Sequence, residues 1–453
     1  MMSETDTICA PATATGGALA VIRVSGPNAF SALTRLCSVC CDSLVANTVH
    51  FTRIKDDTEV IDECMVSVFK APHSYTGEDC VELSCHGSGY IINKVLSLLI
   101  EKGCRMAEPG EFTKRAYLNG KLDLTQAEAV ADLIASTNQA THRLAMSQLR
   151  GGISTELARL REQLLKLTSL IELELDFSDH EDLEFADRTE LLELTLTIQQ
   201  HILRLSHSFE TGQALKQGIP VAIVGKTNVG KSTLLNRLLH EDRAIVSDIH
   251  GTTRDTIEDT IDIKGVTFRF IDTAGIRQTT DKVEQIGISR TYAAIGKARI
   301  VLWLIDAKPT QNDIKEIKKR CEGKSLIIIH NKIDKLPKTV IPSSGDKGTS
   351  IIPISAKNGQ GIETLEQAIF EAAHLPEISD SDIIITNARH YDALQRAQEN
   401  IQHVLEGLKL QLSGDLLAED LRLTLETLAE ITGGQITPQE TLNNIFSHFC
   451  VGK

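Results

Sequence analysis

The stretch Ile219-Pro-Val-Ala-Ile-Val-Gly-Lys-Thr-Asn-Val-Gly-Lys-Ser232 fixes more of the fold than any other part of the chain. An apolar run reads as a buried strand, glycines allow a tight turn with N–H groups pointing inward, and a helix begins at Ser232 with its positive dipole end aimed at the same point. Such a strand–loop–helix unit seats a polyphosphate. Asn228, Val229, Gly230, Lys231, Ser232 and Thr233 are the candidate phosphate contacts, with Lys231 the charged one.

Asn331-Lys332-Ile-Asp334 follows the apolar run Ser325–His330 and names the base. A carboxylate at Asp334 accepts from the two adjacent N–H donors of guanine, which adenine cannot present, so a mismatch leaves a buried acceptor unpaired. Ser355-Ala356-Lys357, after the strand-like run Thr349–Ile354, resembles the loop that closes over the base in GTPases. Asp272-Thr273-Ala274-Gly275 ends the strand-like run Val266–Ile271, placing Asp272 near magnesium and the Gly275 N–H near the γ-phosphate. Gly251-Thr252-Thr253-Arg254-Asp255 carries Thr253 as the switch threonine, so that Ser232 and Thr253 are the expected magnesium ligands. The bound molecule expected is GTP with Mg2+.

The hydrolytic machinery lacks one part. Ras-type GTPases place a glutamine after the DxxG glycine to orient the attacking water, and here Ile276 stands there. Arg254 and Arg277 are candidates for charge stabilisation, and Glu284 for acting on the water, although each also reads as an ordinary surface residue.

A chain of 453 residues with 42% hydrophobic residues has room for two to four domains. No stretch of eighteen apolar residues occurs and the N-terminus lacks a signal-peptide pattern, so the expected compartment is the cytoplasm, with no membrane partner. The ten cysteines are scattered, as free thiols in a reducing compartment are. Cys37, Cys40, Cys41, Cys80, Cys85 and His86 suggest a metal site only weakly, since no second C-x-x-C pair exists. The tail Cys450-Val-Gly-Lys453 has the outline of a prenylation box without the usual last residues or a polybasic lead. A net charge of −14 excludes a surface that grips nucleic acid everywhere. RNA contacts must be local, with Lys114, Arg115 and Lys121, or Arg143, Arg150, Arg159, Arg161 and Lys166, as candidates; solvated helix faces are the plainer reading of both sets.

The texture changes along the chain. Residues 1–120 read as a small α+β domain, with strands at 18–24, 62–69 and 79–84 and a helix at 90–101. Long amphipathic helices follow at 125–149, 153–175 and 188–215, with the acidic stretch Asp176–Glu184 as a turn, and helices return at 387–410, 415–431 and 438–449. Helices on both sides of an α/β segment point to an insertion. The expected domains are therefore 1–120, a helical domain at 121–215 continued at 377–453, and an inserted G domain at 216–376.

Together these motifs resemble the bacterial MnmE (TrmE) tRNA-modification GTPases, and the resemblance spans the whole chain. It is carried by the G motifs, by Tyr75-Thr-Gly-Glu-Asp79, by Ala107-Glu-Pro-Gly-Glu-Phe-Thr-Lys-Arg-Ala-Tyr-Leu-Asn-Gly-Lys-Leu-Asp123 and by the tail Phe449-Cys-Val-Gly-Lys453. It implies a multidomain α/β and α protein, with an N-terminal α+β domain that binds tetrahydrofolate and holds a homodimer, a discontinuous helical domain and an inserted Ras-like P-loop GTPase domain. It also implies G domains that pair in the GTP state around K+ held by Asn228, Ser247, Ile249 and Thr252, within a switch segment also including Asp248, His250 and Gly251. Glu284 matches the water-positioning glutamate. Here the segment reads Ala244-Ile-Val-Ser-Asp-Ile-His250, so its ion contacts would be mostly backbone carbonyls.

Arg23, Glu82, Lys121 and Lys453 match the contacts to 5,10-methylene- or 5-formyl-tetrahydrofolate, and Cys450 matches a tail cysteine whose thiolate serves as nucleophile, on an end flexible enough to reach a partner-bound base. The family works with MnmG, an FAD-dependent partner, in an expected heterotetramer, to add an aminomethyl or carboxymethylaminomethyl group to C5 of the wobble uridine of certain tRNAs. Two other classes compete. An Era-type ribosome-assembly switch would bind RNA without modifying it, but no GxxG loop follows Pro376. A folate-dependent aminomethyltransferase with a regulatory GTPase would transfer carbon without a flavoprotein.

Overall fold

The computed structural model describes residues 6–39, 43–56, 59–176, 188–242, 259–271, 293–335, 351–375, 382–434, 439–447 and 449–452. They form two compact units: residues 1–135, 145–206 and 389–453 make one, and 136–144 with 207–388 make the other.

The first unit is built on a six-stranded sheet of β1 (Thr7–Pro11), β2 (Leu19–Ser25), β3 (Thr48–Lys55), β4 (Val60–Phe69), β5 (Cys80–His86) and β6 (Cys104–Met106), in the order β3-β4-β5-β2-β1-β6. Three of these strands and α2 (Gly89–Glu101) answer to the alternation in the sequence; β1, β3 and β6 carried too little pattern to be read. Ala20, Ile22, Val24, Val66, Val68, Val81 and Leu83 point to one face, where α1 (Ala29–Thr34) and α2 cover them. On the opposite face Ile8 and Ala10 of β1 pack on Phe112 of α3 (Glu111–Leu118) and on Tyr75. Toward the β3 edge that second face is bare: Val49, Phe51 and Met65 are 56%, 58% and 40% exposed, and Phe51 stands directly across from Met65.

The helices of this unit are α4 (Leu124–Ala135), α6 (Gly152–Asp176), α7 (Arg188–Gln217) as far as residue 206, and those at Ala388–Lys409, Gly414–Thr432 and Gln439–Ser447. Leu157, Leu160, Leu164, Leu167 and Ile171 give α6 a buried stripe at helical spacing. A buried polar knot ties α4 to the chain's last third, where Glu128 accepts from Arg389 Nε at 3.0 Å and Nη2 at 3.1 Å and lies 2.7 Å from His390 Nε2.

Among the described residues, the second unit holds six strands: β7 (Ile219–Gly225), β8 (Asp259–Ile263), β9 (Val266–Phe270), β10 (Ile300–Ile305), β11 (Ser325–His330) and β12 (Ile351–Pro353), ordered β12-β11-β10-β7-β9-β8. All pairings are parallel except the β8–β9 hairpin. Val221 and Ile223 face one core while Ala222 and Val224 face another, as a strand covered on both sides requires.

One expected helix is two. The run 125–149 breaks at Ser136-Thr-Asn138, and Asn138 Oδ1 accepts from the Thr141 N–H at 2.8 Å to start α5 (Gln139–Leu149) afresh. The break is set by tertiary contacts: Asn138 Nδ2 donates to Thr267 Oγ1 at 2.7 Å and the Ala140 N–H to the Gly265 carbonyl at 3.0 Å, so residues 136–144 belong to the second unit. Most of the acidic stretch Asp176–Glu184 lies outside the described residues.

Candidate functional site

In the second unit, β7 delivers the chain into the loop Gly225–Gly230 and α8 (Lys231–Asp242) leaves it, one residue earlier than the sequence suggests. Gly230 needs its missing side chain, since at φ +102° a Cβ would collide with Asn331 Nδ2. Lys231 Nζ folds over the loop and donates to the carbonyls of Gly225 at 2.7 Å and Lys226 at 2.8 Å. Burial pushes its pKa below the ordinary lysine value.

The base-reading residues are wired to this loop. Asn331 is buried; its Nδ2 donates to the Val229 carbonyl at 2.9 Å and its Oδ1 accepts from the Ala356 N–H at 3.0 Å. Lys332 Nζ donates to the Asn228 carbonyl at 2.7 Å and to Asp306 at 2.8 Å. Ser355 Oγ donates to Asp334 Oδ1 at 2.6 Å, and that hydrogen bond holds the carboxyl below its ordinary pKa. The structure thus brings Asn228, Val229, Gly230, Lys231, Asn331, Lys332, Asp334, Ser355 and Ala356 together at the carboxyl ends of β7 and β11, where parallel sheets bind ligands. Ser232 and Thr233 follow Lys231 in the first turn of α8, and the Lys357 carbonyl accepts from Arg237 Nη2 at 2.7 Å. Ser247 to Thr253, Arg254, Asp272 to Gly275, Arg277 and Glu284 lie outside the described residues. Sequence reasoning missed Asp306 and Arg237, which belong to no contiguous motif.

A second constellation forms in the first unit. Arg23 and Glu82 stand opposite each other on β2 and β5, with Nε to Oε1 at 2.8 Å. The Arg23 guanidinium lies 5.3 Å from the centre of the Tyr75 ring and 5.5 Å from that of Phe112. Tyr75 and Phe112 sit inside the two N-terminal signatures, yet nothing in the sequence set them against Arg23. Lys121 packs on Gly77 of the adjoining loop and donates to the Pro72 carbonyl at 3.0 Å. Lys453 lies outside the described residues.

The tail is docked, which corrects the expectation of a flexible end. The Gly110 N–H donates to the Cys450 carbonyl at 3.3 Å, Phe449 packs on Phe446 and Gly110, and Arg23 Nη1 donates to the Gly452 carbonyl at 3.2 Å. Cys450 itself stays exposed. Arg115 also departs from expectation. It is buried rather than on a solvated face, with Asp6, Glu78 and Glu111 around it at 2.6 to 3.2 Å.

A glycine-rich loop between a central parallel strand and a helix, coupled to an asparagine–lysine–aspartate reader of guanine, defines a P-loop GTPase. Two family models cover nearly all of the chain: the GTP-binding protein TrmE N-terminus over residues 7–121 and the MnmE helical domain over 124–450. The tRNA modification GTPase MnmE of Phocaeicola vulgatus is 53% identical over 498 residues, covering 100% of both chains. Those of Bacteroides thetaiotaomicron (53%, 99% of both) and Christiangramia forsetii (51%, 100% of both) are similar. The chain belongs to the MnmE family of tRNA modification GTPases, and it is a GTP hydrolase.

Among solved structures, the G domain of the T. maritima FeoB iron transporter is 25% identical, covering 34% of this chain and 99% of its own, with a TM-score of 0.25. The FeoB G domain of Methanococcus jannaschii is 28% identical over 34% and 96%, with a TM-score of 0.26. Among the described residues, no helix is long and apolar enough to cross a membrane.

Proposed function

We propose that this chain is a potassium-activated GTPase that works as a homodimer with the FAD-dependent partner MnmG. In this reading it adds an aminomethyl or carboxymethylaminomethyl group to C5 of the wobble uridine, position 34, of certain tRNAs. The observation that carries the reading is the docked tail, in which Gly452, two residues beyond Cys450, meets the Arg23–Glu82 pair across 429 residues of sequence.

In the nucleotide site, Lys231 would exchange the Gly225 and Lys226 carbonyls for phosphate oxygens, Asp334 would accept from guanine, and Ser232 with Thr253 would hold magnesium. The exposed Asn228 side chain, at the turn of the phosphate loop, fits one contact to potassium. When bound, that ion supplies the fixed positive charge which an arginine supplies in other GTPases. Glu284 orients the attacking water in place of the glutamine that Ile276 replaces.

In the first unit, the Arg23 cation and Glu82 carboxylate beside two aromatic rings fit a tetrahydrofolate, whose pterin offers donors and acceptors along one edge. When bound, the folate supplies the one-carbon unit. Arg23 and Lys121 hold its carboxylates, and Cys450 presents its thiol for attack at uridine C6. The bare apolar face of Val49, Phe51 and Met65 lies on the same side of the sheet as Arg23 and Glu82, and supports a second copy of this chain as its cover.

Mass spectrometry of tRNA nucleosides tests the whole reading. Cells without the protein should lack the modified wobble uridine, and purified protein with the flavoprotein, NADH, ammonium or glycine, GTP, potassium and methylenetetrahydrofolate should restore it. Restoration without the flavoprotein would instead support the aminomethyltransferase alternative.

A further inference from the structure

We propose that Arg237 is a positioning residue that clamps the base-closing loop to the helix of the phosphate site and so sets how long a guanine nucleotide stays bound. The proposal rests on reading the second unit as a guanine nucleotide site.

Arg237 lies six residues into α8, less than two turns from Lys231. Leu234, Leu235 and Leu238 of the same helix are buried in the core, so α8 cannot turn about its axis and the direction of Arg237 is fixed. From there Arg237 Nε donates to the Ala356 carbonyl at 3.3 Å and Nη2 to the Lys357 carbonyl at 2.7 Å. Two successive carbonyls need a forked donor; a guanidinium has one and an ammonium, as a point charge, does not.

The other end of the same residue is held as well. The Ala356 N–H donates to Asn331 Oδ1, and Asn331 in turn reaches the Val229 carbonyl. Residue 356 is therefore gripped at both ends, once through Asn331 and once through Arg237, and both grips lead back to the strand–loop–helix segment that holds the phosphates. The loop between is closed on itself by the Ser355 N–H to the Gln360 carbonyl and the Gly359 N–H to the Ser355 carbonyl, each at 2.9 Å. These bonds tie it into one piece, and removing Arg237 frees one of the attachments that hold it. Ser355 Oγ, which donates to Asp334, belongs to that piece.

The test uses the full-length protein preloaded with fluorescently labelled GDP and chased with unlabelled GDP. Arg237→Ala should release the label on the order of tenfold faster, equivalent to about 1.4 kcal/mol. The KM for GTP should rise in proportion while kcat at saturation changes much less, a split that general loss of structure would not give. Arg237→Lys, reaching one carbonyl, should fall between. Release from Arg237→Ala at the wild-type rate overturns the proposal. Should the alanine variant show no thermal unfolding transition without nucleotide, Arg237→Lys decides: faster release upholds the clamp and wild-type release overturns it. A wild-type protein that takes up no labelled GDP would count against the nucleotide-site reading instead.

Discussion

Arg23 Nη1 donates to the carbonyl of Gly452, 3.2 Å away and 429 residues further along the chain. The chain's end is thereby part of the N-terminal sheet's site, and the position is exacting. Gly452 has φ +94° and lies flat on Pro11 and Ala12, where a Cβ would collide with the Pro11 carbonyl. Gly452→Val should undock the tail, giving faster digestion by carboxypeptidase and at least tenfold lower tRNA modification, while GTP turnover, housed in the other unit, stays within about twofold. Digestion and modification at wild-type rates would show that the docked tail has no part in the chemistry.

Asn331 bridges the phosphate loop and the base loop with two buried hydrogen bonds. Asn331→Ala leaves the Val229 carbonyl and the Ala356 N–H without those partners, a cost of about 1–3 kcal/mol for each buried group. Affinity for GDP should fall tenfold to hundredfold by titration calorimetry, which corresponds to about 1.4–2.8 kcal/mol. Unchanged affinity would mean that the bridge is incidental to binding.

Glu284 and the cation act on the hydrolytic step alone in the reading proposed above. Glu284→Ala should keep its affinity for GTP and lose at least 100-fold in kcat, within the roughly 10²–10⁴-fold range of acid–base groups. Wild-type turnover should be much faster in potassium than in sodium chloride at equal ionic strength. Equal rates in the two salts would remove the ion from the mechanism, and a Glu284→Ala protein unable to bind nucleotide would remove Glu284 from its assigned role.

Glu128 makes a pH prediction whose sign can be worked through. Burial raises its pKa, but His390 and Arg389 more than offset this and hold it below the ordinary carboxylate value. A depressed pKa contributes stability above the unfolded value of about 4.3, and that contribution is lost as pH falls through the folded value. Glu128→Ala should destabilise the first unit by about 3 kcal/mol at pH 7, because Arg389 and His390 lose a buried partner. In urea unfolding curves the gap between wild type and variant should be widest above pH 5 and narrow below pH 4. A gap independent of pH would mean that the carboxylate charge is not what stabilises the knot.

Much of the nucleotide site was legible because its chemistry is local. Gly225 to Ser232, Asn331 to Asp334 and Ser355 to Lys357 are short runs that the fold brings together whole, so spacing along the chain stands in for spacing in three dimensions. Strands with clean alternation, such as β4 and β5, were legible for the same reason, while β6, with three residues, offers too few positions for a period to show. The break at Asn138 was not legible, because the Thr267 hydroxyl and the Gly265 carbonyl that fix it lie more than 120 residues on, in a different strand pair.

Residue order alone was enough to read the candidate nucleotide loops and the alternation of sheet and helix around them. The tertiary structure alone decided that Arg115 would be sunk among three carboxylates, that the tail would lie against Gly110 and Arg23, and that Arg237 would clamp the Ala356–Lys357 loop. The physical reason is common to all three. A charged side chain or a free carbonyl takes the partner that folding brings within about 3 Å, and no local pattern records where along the chain that partner will be found.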